Sequence, residues 1–182
     1  MSRVRIVGGS LRSRLIEVPD AIGLRPTPDR VRETLFNWLG QDLDGWRCLD
    51  LFAGSGALGF EAASRGAAEV LMLEFAPKVH AHLTKAIQTL GVKNVQLQRG
   101  DALKFLQDQA AGGRTFDLVM LDPPYRQDWL TRIEPLLPRL LVPDARVYVE
   151  AEFAVESFAG LQQIKAGKAG QVHYQLFAGE QA

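Results

Sequence analysis

Hydrophobic residues recur along this chain in two rhythms. Near the start, Arg3-Val4-Arg5-Ile6-Val7 and Arg14-Leu15-Ile16-Glu17-Val18 alternate polar and apolar side chains, with Gly8-Gly9-Ser10 between them. That pattern predicts a short β-hairpin with arginines on one face. Two strands alone are marginal in water, so the hairpin is expected to lean on the rest of the molecule or on a partner. Residues 19–28 are punctuated by Pro and Gly and read as a linker. The rhythm then turns helical. Thr27-Pro28-Asp29 offers a hydroxyl N-cap, a first-turn proline and an acid complementing the dipole, while Val31, Leu35, Trp38 and Leu39 share one face and Gly40 ends the run. Arg30, Glu33 and Asn37 fall on the opposite face, which reads as solvated surface.

From residue 48 the two rhythms alternate. A strand at 48–51 leads to a helix over 57–65 closed by Gly66, a strand at 69–74, a helix at 77–90 and a strand at 94–98. A helix at 101–109, a strand at 116–121, a helix at 129–140 broken near Pro135 and Pro138, and a strand at 145–150 follow. Regular alternation implies right-handed crossovers and a parallel sheet covered on both faces. After Phe153 two strands, 161–165 and 172–177, are joined by the turn Gly167-Lys168-Ala169-Gly170 with no helix between, which predicts an antiparallel hairpin at the sheet edge. The expectation is an α/β fold with a mostly parallel seven-stranded sheet, an antiparallel edge hairpin and a short N-terminal hairpin extension. Residues 1–26 form the basic hairpin and linker in this reading, and residues 27–182 the main domain.

Composition narrows the class without changing the fold. A hydrophobic fraction of 47% with 23% charged residues is ordinary for a globular protein and excludes disordered and collagen-like classes. No apolar run reaches the ~20 residues that span a bilayer, and no apolar segment follows the first residues, so the chain is expected in the cytoplasm. Cys48, the single cysteine, lies in a predicted strand and reads as a small core hydrophobe. Net charge is zero, yet residues 1–32 carry +4 and the remainder −4. A basic arm on an acidic body fits a nucleic-acid footprint, and it equally fits a solvated hairpin with scattered arginines.

The chemistry gathers where strands end. Cys48-Leu49-Asp50-Leu51-Phe52-Ala53 runs into Gly54-Ser55-Gly56-Ala57-Leu58-Gly59, a glycine turn opening into a helix. Gly54 and Gly56 admit positive φ and close approach of a ligand, and Gly59 lets the helix pack on its strand. N–H groups at a helix start favour a carboxylate or phosphate. This spacing, with Glu74 at the distance of a ribose-binding acid, matches a dinucleotide fingerprint, so NAD is one reading. Two details favour a different adenosine cofactor. Asp50, just before the glycines, would repel a pyrophosphate and attract an ammonium. Asp122-Pro123-Pro124-Tyr125 closes the strand Leu118-Val119-Met120-Leu121. Asp50, Glu74, Asp101 and Asp122 thus each close one of four successive strands, where ligands of open α/β sheets bind, although Asp101 also suits a helix N-cap. His80 and His82 diverge on their helix and His173 has no companion, so no metal site is expected.

The glycine loop and Asp-Pro-Pro-Tyr together resemble the Rossmann-like S-adenosylmethionine (SAM) methyltransferases, the tetrapeptide being similar to that of enzymes methylating exocyclic amines. The string Arg25-Pro26-Thr27-Pro28-Asp29-Arg30-Val31-Arg32-Glu33-Thr34-Leu35-Phe36-Asn37-Trp38-Leu39 is more specific. It resembles the signature segment of the RsmD-type guanine-N2 methyltransferases of small-subunit ribosomal RNA, as do the Gly-Gly hairpin, the glycine loop and the closing Gly170-Gln171-Val172. The resemblance spans essentially the whole chain, with Tyr125 where some relatives have phenylalanine.

This resemblance implies a Rossmann-like SAM methyltransferase fold and SAM as cofactor. Asp50, with Phe52, Ala53, Gly54 and Gly56, would hold its amino-acid end, Glu74 its ribose, and Asp101 with the Ala102 N–H its adenine. Asp122 and the Pro123 carbonyl would accept the hydrogens of the target amine, with Pro124 stiffening the segment and Tyr125 stacking on an extruded base. The partner implied is 16S rRNA within the small ribosomal subunit or an assembly intermediate, with Arg3, Arg5, Arg12 and Arg14 contacting phosphates. By residue chemistry alone, adenine-N6 or another amine in DNA, RNA or protein remains an alternative acceptor. An NAD-dependent oxidoreductase and a non-catalytic RNA-binding module are the readings from other classes.

Overall fold

The computed structural model describes residues 1–21 and 24–179. Its centre is an eight-stranded sheet in the order β5-β4-β3-β6-β7-β10-β9-β8. The strands are β3 (Arg47–Asp50), β4 (Glu69–Glu74), β5 (Val95–Arg99), β6 (Phe116–Leu121), β7 (Leu141–Ala151), β8 (Ser157–Phe158), β9 (Leu161–Ala169) and β10 (Val172–Ala178). Strands β3 to β7 are mutually parallel and β8 to β10 antiparallel. The expected seven strands become eight because Ser157 and Phe158 pair with Gln162 and Leu161, a two-residue strand too short to show an alternating pattern.

Helices α2 (Ala57–Ser64), α3 (Pro77–Leu90), α4 (Ala102–Gly112) and α5 (Trp129–Ile133) connect the parallel strands. The predicted helix at 129–140 stops at Ile133 and continues as 3-10 turns at Glu134–Leu136 and Pro138–Leu140, since each proline removes a backbone donor and the α-helical hydrogen bond it would make. Two apolar layers sandwich the sheet. One gathers Cys48, Val70, Met72, Leu118 and Met120 with α2 and α3, and the other Leu49, Leu71, Val119, Leu121 and Val147 with α4 and the turns after α5. Consecutive strand residues therefore face opposite layers, and both faces are buried, as a parallel sheet with crossover helices requires. Burial pushes the Cys48 thiol up to about 12, so it stays protonated. Among the described residues no helix is long and apolar enough to cross a membrane.

The N-terminal hairpin, β1 (Ser2–Arg5) and β2 (Leu15–Val18), is a separate antiparallel sheet. Val4, Ile6, Ile16 and Val18 bury against the layer containing α2 and α3. A buried polar knot fastens it there. Glu61 of α2, fully buried, accepts from the Val7 and Gly8 N–H groups at 3.0 and 2.9 Å, and from Arg32 and Arg65 at 3.0 Å each. Arg32 lies in α1 (Asp29–Trp38) and is fully buried; its guanidinium also bonds the carbonyls of Thr27 and Arg5 and pairs with Asp29. Helical periodicity placed no charge in the core here. The arginine is buried because carboxylate and carbonyl acceptors surround it. Gly9, at φ +76°, sits so close to α2 that a Cβ would meet the Ser64 carbonyl oxygen at 1.9 Å.

The start of α1 differs from expectation. Pro28 occupies the N-cap and no side chain caps the helix. The Thr27 hydroxyl, read as the cap, is buried and donates instead to Glu150 at 2.7 Å.

Candidate functional site

Strand order reverses between β3 and β6, which start crossovers running in opposite directions, and a crevice opens beyond their C-terminal ends. Asp50 ends β3 and pairs in register with Met120, two residues before Asp122, so the glycine loop and the Asp-Pro-Pro-Tyr loop leave the sheet side by side. Phe52 of the first loop meets Trp129 beyond the second, edge to face, with ring centroids 5.3 Å apart.

Backbone geometry explains the glycines. Gly54 and Gly56 take φ +53° and +82°, and a Cβ on Gly56 would lie 2.5 Å from the Phe60 ring. At Gly59 a Cβ would press to 3.0 Å on both Asp50 and Met72, and its N–H donates to Asp50 Oδ2 at 3.1 Å. The expected row of free N–H donors is not met at Ala53, Gly54 and Gly56. These bond the Leu73 carbonyl (2.9 Å), Glu74 Oε2 (2.9 Å) and the Ala53 carbonyl (2.8 Å). Glu74 ends β4 and braces this loop from the next strand, its second oxygen accepting from the Ala76 N–H at 2.9 Å. Each oxygen keeps a further lone pair for a ligand hydroxyl. Asp101 N-caps α4, accepting from the Lys104 N–H at 3.0 Å, with Ala102 buried behind it.

Asp50 is fully buried, and its Oδ1 has no hydrogen-bond partner. Burial raises its carboxyl to about 7, the Gly59 N–H partly offsets this, and the nearby Glu74 and Glu150 carboxyls add to the rise. A buried acid with an unfilled acceptor atom is a fitting seat for a cationic donor such as an ammonium.

Beyond β6, Pro123, Pro124 and Tyr125 line a cleft of about 370 Å³ together with Trp129, Glu150, Glu152 and Phe153. Tyr125 and Phe153 leave 44% and 59% of their surface exposed, two unburied aromatics at one cleft. Arg126 and Asp128 have positive φ (62° and 56°), and the Arg126 N–H bonds Glu152 at 3.1 Å, so the loop is held in a conformation costly for side chains of this kind.

Sequence reasoning missed Glu150. It closes the β7 core as the other acids close their strands, and that position was its only visible signal. In the structure it is buried and accepts from the hydroxyls of Thr27 and Tyr148, both at 2.7 Å. Leu121 and Val149 are in register on neighbouring strands, so Asp122 and Glu150 follow side by side. Burial, followed by the charges of Glu150 and Asp50, drives Asp122 well above the usual carboxylate range. Burial raises Glu150 too, against the lowering pull of the Thr27, Tyr148 and Asp122 hydrogen bonds.

Arg3, Arg5, Arg12 and Arg14 are all exposed. Their face is not purely basic, since Glu17 lies opposite Arg3. Arg14 is partly spoken for, donating to the Thr89 carbonyl at the end of α3 at 3.1 Å.

A parallel sheet that switches to antiparallel strands beyond β7, with its glycine loop at the order reversal, is the fold of the Rossmann-like SAM-dependent methyltransferases. An RNA methyltransferase from Salinibacter ruber, solved with S-adenosyl-L-homocysteine, shares it at 19% identity and a TM-score of 0.65 over 87% of this chain and 96% of that one. The chain belongs to the RsmD family, whose profile, described as conserved hypothetical protein 95, matches residues 4–178. It is 43% identical to the ribosomal RNA small subunit methyltransferase D of Escherichia coli, over 98% of this chain and 91% of that one. It is 44% identical to the Haemophilus influenzae protein of the same name over 82% and 79%. The solved structure of Escherichia coli yhhF superposes with a TM-score of 0.87 at 41% identity, covering 98% and 99%.

Proposed function

We propose that this protein transfers a methyl group from SAM to the exocyclic N2 amine of a guanine in 16S rRNA, acting in the cytoplasm on the small ribosomal subunit or an assembly intermediate. The observation that carries the reading is the register of Asp50 with Met120. It sets the cofactor loop and the Asp-Pro-Pro-Tyr loop at one end of the sheet, as transfer between two bound molecules demands. Relatives named as small-subunit rRNA methyltransferases supply the acceptor class.

When bound, SAM supplies an electrophilic methyl group on a sulfonium. Asp50, with its unpartnered buried oxygen, suits the amino group of that cofactor, assisted by Phe52, Ala53, Gly54 and Gly56. Glu74 suits the ribose hydroxyls, and Asp101 with Ala102 the adenine edge. The acceptor amine is a poor nucleophile because its lone pair is delocalised into the base. Asp122 and the Pro123 carbonyl accept its hydrogens and favour a pyramidal nitrogen whose lone pair is free to attack. Pro123 and Pro124 fix the segment, so these acceptors lose little entropy on engaging the base. Tyr125 offers a stacking face to a base that is flipped or already unpaired.

The hairpin, which forms with its linker a unit of residues 1–26, contributes phosphate contacts through Arg3, Arg5, Arg12 and Arg14. The deciding experiment is methyl incorporation into small subunits from a strain lacking the enzyme, followed by nucleoside analysis. N2-methylguanosine with the wild type and none with Asp122→Ala is expected. N6-methyladenosine would move the acceptor to adenine, and full activity in Asp122→Ala would remove the mechanism.

A further inference from the structure

We propose that Glu150 is a positioning residue for this reaction. Held by the Thr27 and Tyr148 hydroxyls, it shares one proton with Asp122, and the resulting carboxyl pair takes up the proton that the methylated amine releases. The inference rests on the methyl-transfer reading above and adds to it a destination for that proton.

The geometry is specific. Asp122 and Glu150 follow in-register residues of adjacent parallel strands, so their separation is set by the sheet rather than by a loop. Glu150 lines the same cleft as Pro123, Pro124 and Tyr125. Two hydroxyl donors converge on its Oε1. Two carboxylates side by side, one half-buried and the other buried, do not both stay ionised readily, and one proton shared between them is the stable state. Because Thr27 and Tyr148 donate to Glu150, the negative charge rests there and the shared proton sits on Asp122, which retains one acceptor oxygen. That oxygen is the one an amine hydrogen can use.

The step balances. The nitrogen lone pair forms the new N–C bond while the sulfur keeps the electrons of the broken S–C bond. The nitrogen, then cationic, gives one proton to the pair, which passes from a single negative charge to neutral. Other titratable groups facing the pair belong to known elements: Asp50 from β3, Tyr125 from the loop after β6, Tyr148 on β7 itself, and Tyr174 from β10.

The test uses full-length protein. Glu150→Gln keeps an acceptor for both hydroxyls and removes the charge. Infrared difference spectra of cofactor-free protein near neutral pH, taken in an Asp50→Asn background so that the Asp50 carboxyl does not contribute, are expected to show a protonated-carboxyl band that weakens in Glu150→Gln, because the shared proton loses one of its two carboxyls. The acid limb of the methylation rate is expected to be displaced, because Asp122 then titrates alone in place of the pair, with SAM affinity within about twofold of wild type. Tyr148→Phe, which removes one donor from the charged Glu150, is expected to move the acid limb to higher pH. An unchanged carboxyl band and an unchanged acid limb in Glu150→Gln would overturn the proposal. Should that variant fail to fold, an unmoved acid limb in Tyr148→Phe would do the same. The infrared arm needs no substrate, so it judges the pair even if wild-type protein proves inactive on small-subunit RNA, an outcome that would count against the proposed function alone.

Discussion

The Thr27 hydroxyl lies 2.7 Å from Glu150, a contact that closes a loop of 123 residues. Through it the segment before α1 is tied to the end of β7, and Arg32, five residues on, ties the same segment to the hairpin and α2. Hairpin, helix and cleft are therefore braced by polar contacts that no local pattern announces.

Stacking at the cleft should depend on ring area and not on the hydroxyl. Tyr125→Phe is expected to retain activity within a few-fold. Tyr125→Ala is expected to weaken transition-state stabilisation by about 1 to 3 kcal/mol, the range for one base–aromatic stack. Steady-state kcat/KM on small-subunit RNA measures both, and equal losses would show that the hydroxyl rather than the ring matters.

The buried acids should make the cofactor-free protein less stable as pH rises. Asp50 titrates near 3.8 when unfolded and near 7 when folded. Between those values the unfolded chain has released a proton that the native state still holds. Stability therefore falls as pH rises through this window, by up to about 1.4 kcal/mol per pH unit for one group, and levels off above it. Urea titrations at pH values across this window check the trend. Asp50→Asn is expected to flatten the curve, and saturating SAM to restore stability near neutrality by supplying a positive partner.

The Glu61 knot should be costly to break. Glu61→Ala leaves Arg32 buried with fewer acceptors, a change of the kind that costs about 3 to 5 kcal/mol. A fall in the denaturation midpoint of that order is expected, with the hairpin amides, including Val7 and Gly8, losing hydrogen-exchange protection first. Protection that survives unchanged would mean that the apolar face of the hairpin suffices to hold it.

Hairpin arginines should act through salt-sensitive contacts. Replacing Arg3, Arg5 and Arg12 with Ala is expected to weaken RNA association and reduce the slope of log K against log salt by about 3, with SAM affinity intact. Arg14 is better tested separately, because its bond to the Thr89 carbonyl gives it a structural share. Parallel loss of SAM and RNA binding in the triple variant would assign these residues to folding.

Much of this protein was determined by sequence alone. Alternating rhythms fixed the order of β3 to β7 and their helices, with β4, α3 and β6 bounded as read, because buried strands and amphipathic helices leave local periodic signatures. The glycine loop and Asp122-Pro123-Pro124-Tyr125 were legible because their chemistry is compressed into consecutive residues. Tertiary structure decided what no local pattern encodes. Arg32 falls outside the apolar face that periodicity assigns to its helix and is buried only once Glu61 and two carbonyls close around it, Thr27 reads as a cap until Glu150 lies opposite, and Glu150 gains a role only beside Asp122. Each depends on a partner brought across the sheet by strand order, and strand order is settled by packing the whole chain at once.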